Sequence, residues 1–262
     1  MAWLGSHRTG DPMTAHGGSE PDLLQIPKRF HRIWVGPRPL PREADELWAG
    51  FRALHPDWEL TTWTEPIDTA DYELGRLFRS CQHPAQVADL LRIELLWRHG
   101  GVYVDVDCEA VRPFDSLLRL ALFIGAYKGE MQNAVIGSVP RHPGLRVVMD
   151  ALLEHRVLPP TAVNETTGPV MLTRLLARRS DVTVLPKEAF FPWTWDEVPD
   201  RSMITDATYA VQHWTLSWSK PSTVRRRFFG WLFRHWPIIG RLRASLRAPV
   251  LGAGRARVPP PE

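Results

Sequence analysis

Cysteine is scarce in this sequence: two residues, Cys81 and Cys108, among 262. So small a number excludes a disulfide scaffold and a four-cysteine zinc site, and reads most simply as two free thiols in a reducing compartment. Long apolar runs are also missing. No uninterrupted stretch reaches the roughly 18 residues a membrane-crossing helix requires. Met1 to Glu20 has neither the basic start nor the apolar run of a secretory leader, so a cytoplasmic location is expected. Charge of one sign is not in large excess. The net charge is +3, with 23% charged and 44% hydrophobic residues, which excludes a mostly disordered, collagen-like or coiled-coil chain. A chain of this length is one large domain, or one domain with appendages.

The small net charge hides an asymmetry. Arg225 to Glu262 contains nine Arg and one Glu, a local +8, which leaves residues 1–224 at about −5. The basic character belongs to the end of the chain, and a nucleic-acid footprint over the whole surface does not fit this pattern. Residues 225–247 carry seven of those Arg among Phe228, Phe229, Trp231, Phe233 and Trp236, interrupted by Gly230, Pro237 and Gly240. This reads as a basic, aromatic, amphipathic helical segment. It could lie on an anionic membrane at the inner face of the cytoplasmic membrane, or pack as a helix pair on the body. Residues 1–24 and 248–262 read as disordered ends.

Between these ends, residues 25–224 alternate strand and helix signals. Strands are expected at Phe30–Val35, Trp58–Trp63, Val102–Val106, Leu120–Ala126, Ala134–Val139, Val182–Leu185 and Tyr209–Gln212. Helices are expected at Arg42–Leu54, Pro84–Arg98, Leu145–His155 and from Gly168-Pro169 to Leu176, with Pro84 and Pro169 near their starts and Gly100 as a stop. Such alternation predicts an α/β fold with a mostly parallel sheet.

The chemistry concentrates in Gly100-Gly101-Val102-Tyr103-Val104-Asp105-Val106-Asp107. A buried strand ends in these two carboxylates, and its period of two puts both on one face, with Val106 opposite. Two carboxylates at one strand end repel unless a cation sits between them. Hard oxygen donors suit Mg²⁺ or Mn²⁺, which would in turn hold phosphate oxygens. Ligands of open α/β sheets bind at this end of the strands. An isolated Asp-x-Asp is equally at home in a solvated turn, so the pair needs company. The preceding helix supplies it: Asp89 and Arg92, three residues apart, share a face and could bind sugar hydroxyls and phosphate, or form an ordinary surface ion pair.

Taken together, Ile26-Pro27-Lys28, His31-Arg32-Ile33-Trp34-Val35-Gly36, Ala88-Asp89-Leu90-Leu91-Arg92 and the Gly-Gly-Val-Tyr-Val-Asp-Val-Asp block resemble the DXD-containing glycosyltransferases of family 32. That group includes yeast initiating α-1,6-mannosyltransferases and bacterial capsular polysaccharide sugar transferases; the clostridial toxin glucosyltransferases are distant relatives. The resemblance runs from about Ile26 to Trp218. It implies a GT-A fold, a nucleotide-sugar donor, a divalent metal (Mn²⁺ or Mg²⁺) and retention of anomeric configuration. Matched position by position, Asp105 and Asp107 are the DXD pair and catalytic, with Asp107 as the direct metal ligand and Asp105 on ribose or sugar. Asp89 and Arg92 match donor-sugar and ribose contacts, and Trp34 a position near the base. Tyr103 and Asn133 belong to the donor-binding set. His213 would be a last metal or diphosphate ligand, and Ser217 and Trp218 a flap closing on the diphosphate.

The function expected from the resemblance is a metal-dependent retaining glycosyltransferase. A UDP-sugar is favoured as donor over GDP-mannose, and the acceptor is a saccharide or a lipid-linked saccharide; no nucleic-acid partner is expected. Two other classes remain open at this level: a non-catalytic sugar-nucleotide or glycan-binding protein on the same fold, and a metal-dependent nucleotidyltransferase.

Overall fold

A computed structural model describes residues 25–214. The expectations for residues 1–24, 225–247 and 248–262, and for Ser217 and Trp218, lie outside the described residues. The chain divides into two units, Met1–Gln212 and His213–Glu262. His213, which is buried, and Trp214 are the described part of the second.

The first unit runs β1 (Arg29–Trp34), α1 (Arg42–Leu54), β2 (Glu59–Thr64), α2 (Gly75–Phe78), α3 (Pro84–His99), β3 (Gly101–Val104), β4 (Cys108–Ala110), β5 (Leu122–Tyr127), β6 (Glu130–Ser138), α4 (Pro143–Leu153), α5 (Val163–Thr166), α6 (Pro169–Leu176), β7 (Thr183–Leu185) and β8 (Ala210–Gln212). Six strands form one sheet in the order β2-β1-β3-β6-β5-β7, and β4 pairs with β8 in a second, two-stranded sheet. Five strands of the large sheet run one way, and β6 runs antiparallel between β3 and β5. The α/β class with a mostly parallel sheet is therefore as expected. Among the described residues no helix is long and apolar enough to cross a membrane.

Strand β1 shows how sequence sorts the two faces of the sheet. Ile33 and Val35 join the core built around α3. Phe30, on the opposite face, stacks on Trp58 at 4.5 Å and meets Phe51 of α1 edge-on at 5.0 Å. Both faces are covered, which is why the strand carries apolar residues at successive positions.

Helix α3 is apolar nearly all round and buried accordingly: from Ala88 to Trp97 every residue is enclosed. It packs against β1, β3, β6 and α4. Its start is set by Pro84 and by His83, whose ring accepts a hydrogen bond from the Ala85 N–H. It ends where Gly100 takes φ +60°, and Gly101 follows at φ +93°. The two glycines turn the chain straight from α3 into β3. A Cβ on Gly100 would stand 2.7 Å from Pro140 Cδ, and one on Gly101 would stand 2.8 Å from the Arg29 carbonyl oxygen. His31 braces this turn. Its Nε2–H donates to the Gly100 carbonyl at 2.9 Å, and its Nδ1 accepts from the Trp63 indole. Burial lowers the His31 pKa to about 4, so the ring is neutral at physiological pH and can fill both roles.

One expectation is corrected. The strand predicted over Val102–Val106 stops at Val104. The Asp105 N–H still donates to the Ala134 carbonyl at 2.8 Å, but the Cys108 N–H then donates to the Asp105 carbonyl at 3.1 Å and closes a turn. Asp105 and Asp107 thus converge through a turn rather than through strand alternation.

Gly101→Ala would force a side chain into the left-handed region and against the Arg29 backbone. It should cost about 2 kcal/mol or more and lower the melting temperature by about 4 °C or more. A thermal melt indistinguishable from the wild type would contradict this account of the turn.

Candidate active site

The site is assembled at the carboxyl end of β3. Tyr103 and Asp105 lie on one side of the chain, and the Tyr103 hydroxyl donates to Asp105 Oδ1 at 2.7 Å. From α3, the Arg92 guanidinium lies over the Tyr103 ring at 4.3 Å and reaches Asp105 Oδ1 at 3.7 Å. The same guanidinium pairs with Asp89 at 3.2 Å and donates to the Asn133 carbonyl. Asp89 and Arg92 are each only 5% exposed, so the surface ion-pair alternative is set aside. A buried pair of this kind needs its remaining valences filled. They are: Asn133 Nδ2 donates to Asp89 Oδ1 at 2.9 Å, and the Thr167 hydroxyl donates to Asp89 Oδ2 at 2.7 Å.

Four chain segments therefore meet on Asp89 and Arg92: α3 itself, β3 and its end through Tyr103 and Asp105, Asn133 from β6, and Thr167 from the junction of α5 and α6. Burial pushes the Asp89 carboxyl up to about 6, against the pull of Arg92, Thr167 and Asn133. Asp105 is also raised to about 6, by burial first, opposed by Arg92 and reinforced by Asp107. Both are mainly ionised above neutrality.

Asp107 is buried in the turn. Gln212 Nε2 donates to Asp107 Oδ1 at 2.9 Å and stands 3.5 Å from Asp105 Oδ2. One amide nitrogen reaching both carboxylates shows that they converge on a common point. Two hard oxygen donors at one point fit a Mg²⁺- or Mn²⁺-type ion that takes its other ligands from phosphate and water. Among the described residues no group of three or more His, Cys, Asp and Glu side chains is gathered that could hold a metal ion.

The remaining expected residues fall as follows. Trp34 ends β1, which pairs with β3 through His31 and Tyr103, so it stands at the sheet edge that bears Asp105. It is buried, and its indole N–H donates to the Arg38 carbonyl at 2.7 Å. Tyr103 and Asn133, expected to touch the donor, lie against Asp105, Arg92 and Asp89. Cys108 is a buried thiol whose pKa is driven well up by burial and by Asp105 and Asp107. Glu109 pairs with Arg201 at 2.8 Å.

Sequence reasoning missed Gln212 and the contact of Thr167 to Asp89. The only signal for Gln212 was its place beside His213.

The model for the glycosyltransferase sugar-binding region containing a DXD motif matches residues 41–123. A mannosyl phosphorylinositol ceramide synthase of Saccharomyces cerevisiae is 29% identical over 59% of this chain and 43% of its own length. Inositol phosphoceramide mannosyltransferase 3 of Schizosaccharomyces pombe is 26% identical over 81% of this chain and 60% of its own length. The chain thus spans about half the length of the curated relatives it matches. Among solved structures, the PaToxG glycosyltransferase overlays 58% of this chain and 68% of its own with a TM-score of 0.49 at 19% identity.

The raised Asp105 carboxyl has a consequence for stability. Its pKa of about 6 exceeds the ordinary 3.8, so the folded protein holds a proton more tightly than the unfolded chain. Its contribution to stability is present below about pH 4 and is lost as pH rises through 6. Without metal, Asp105→Asn should therefore melt above the wild type at pH 7.5, by about 2–4 °C, with the difference shrinking towards pH 4. A lower melting temperature for the variant at pH 7.5 would contradict the assigned strain.

Proposed function

From the DXD glycosyltransferase region that residues 41–123 carry, we propose that this protein transfers a sugar from a nucleotide-sugar donor to a saccharide or lipid-linked acceptor, with a divalent cation. The observation that carries the reading is the joining of the convergent Asp105 and Asp107 to the buried Asp89–Arg92 pair. A solvated acidic turn has no reason to be tied to a buried, fully hydrogen-bonded ion pair.

In this reading Asp107 and Asp105 hold the cation. Bound there, Mn²⁺ or Mg²⁺ would supply Lewis-acid stabilisation of the charge that develops on the departing diphosphate. Arg92 adds a fixed positive charge that needs no reorganisation as the sugar bond breaks. Asp89 keeps that guanidinium in place, and one of its hydrogen-bonded oxygens can exchange a protein partner for a sugar hydroxyl. Tyr103 orients Asp105. Trp34 belongs near the base. The acceptor hydroxyl attacks on the face from which the diphosphate leaves, which retains the anomeric configuration.

The names of the two yeast relatives support mannose as the sugar and an inositol phosphoceramide-like lipid as the acceptor class to examine first. UDP-sugars and GDP-mannose are both donors to be compared. A lipid acceptor would give the basic segment 225–247 a use at an anionic membrane face.

The test is release of nucleoside diphosphate by purified protein with Mn²⁺, across a panel of UDP-sugars and GDP-mannose. One donor should turn over, chelator should stop it, and Asp107→Ala should lower the rate by at least about 100-fold, the scale of removing one main electrostatic group. Release of nucleoside monophosphate instead would point to a nucleotidyltransferase. Wild-type turnover in Asp107→Ala would overturn the proposal.

A further inference from the structure

We propose that Gln212 is a positioning residue for the cation-holding carboxylates, and that Cys108 is the anchor that sets which way its amide faces. The proposal rests on the divalent-cation reading above.

Gln212 ends β8 and is 5% exposed. Its main chain is held on two sides. It pairs with Cys108 of β4, and its N–H donates to the Phe190 carbonyl at 3.0 Å. The side chain therefore starts from a fixed point. Its two ends are chemically distinct: the oxygen only accepts, and the nitrogen only donates. The Cys108 thiol donates to Oε1 at 2.8 Å. With the oxygen end engaged there, the nitrogen end turns to the carboxylates, donating to Asp107 Oδ1 at 2.9 Å and lying 3.5 Å from Asp105 Oδ2. The flipped amide would set its oxygen against two carboxylates and its NH₂ against the thiol hydrogen. Both ends thus select the same orientation.

This arrangement completes what α3 begins. Arg92 and Tyr103 fix Asp105 from the α3 side. Gln212 acts on Asp107 from β8, 105 positions away in sequence. A carboxylate that must receive a cation binds it more tightly when it is already oriented, because less rotamer freedom is then lost on binding. Partners that hydrogen-bond metal-ligating groups typically change affinity by about 10–100-fold when removed. Cys108 enters as a hydrogen-bond donor of small volume, which is why a thiol can stand beside two carboxylates without acting as a nucleophile.

The experiment is titration of the full chain with Mn²⁺ alone, following the free ion by electron paramagnetic resonance, with thermal melts of each metal-free variant. Gln212→Met keeps the chain length and removes both hydrogen bonds. It should bind Mn²⁺ about 10–100-fold more weakly while still melting cooperatively. Cys108→Ser keeps a donor and should stay near wild-type affinity, whereas Cys108→Ala should lose several-fold. A purely structural role would lower the melting temperature of Gln212→Met and leave the affinity of the folded protein unmoved. That result, with Asp107→Asn losing Mn²⁺, overturns the positioning role and leaves the cation reading standing. Undiminished binding by Asp107→Asn overturns the cation reading, and this inference with it. If Gln212→Met does not fold, the two Cys108 variants decide: a gap in affinity between them supports the anchor, and equal affinities overturn it.

Discussion

Two carboxylates at the end of a buried strand repel each other, and Arg92 brings a positive charge to Asp105. It reaches Asp105 at 3.7 Å, pairs with Asp89 at 3.2 Å and covers the Tyr103 ring at 4.3 Å. A guanidinium this deeply enclosed is tolerable only when its partners are supplied from several sides. The elements of the unit are arranged to do so. Helix α3 carries Asp89 and Arg92 one turn apart. The glycine turn swings the chain directly back as β3, so Tyr103 and Asp105 face the same helix. Strand β6 brings Asn133, and the α5–α6 junction brings Thr167. Removing any one of these leaves a buried charged or polar group short of a partner.

The coarse fold and the centre of the site were legible in the sequence because both rest on local signals. Apolar spacing, Pro84 and Pro169 at helix starts, and Gly100-Gly101 as a stop are read over a few residues. So are Asp105, Asp107, Asp89 and Arg92, which all lie within one helix, the strand after it and the turn that ends that strand. The strand end was misjudged by two residues because Val106 extends the β-branched run past the point where pairing stops. Only the Cys108 N–H bond back to Asp105 ends it, and a turn of that kind leaves no mark in the pattern. Gln212, Thr167 and the carbonyl of Asn133 were not legible as partners. Their contacts join positions 41 to 107 residues apart, and short-range periodicity says nothing about such pairs.

A division of labour follows. The region matched to DXD glycosyltransferases, residues 41–123, holds the charged groups. Of the residues that orient them, Tyr103 lies in the same region, and Asn133, Thr167 and Gln212 come from later in the chain.

The central claim is that Asp105 and Asp107 hold a divalent cation that engages the donor's diphosphate. Crystals grown with Mn²⁺ and a nucleoside diphosphate test it most directly, through the anomalous signal of manganese. The account predicts a peak within coordination distance of Asp107, about 2.2 Å for a hard cation on oxygen, shared with the diphosphate. Nucleotide bound with no manganese at the carboxylate pair would contradict it.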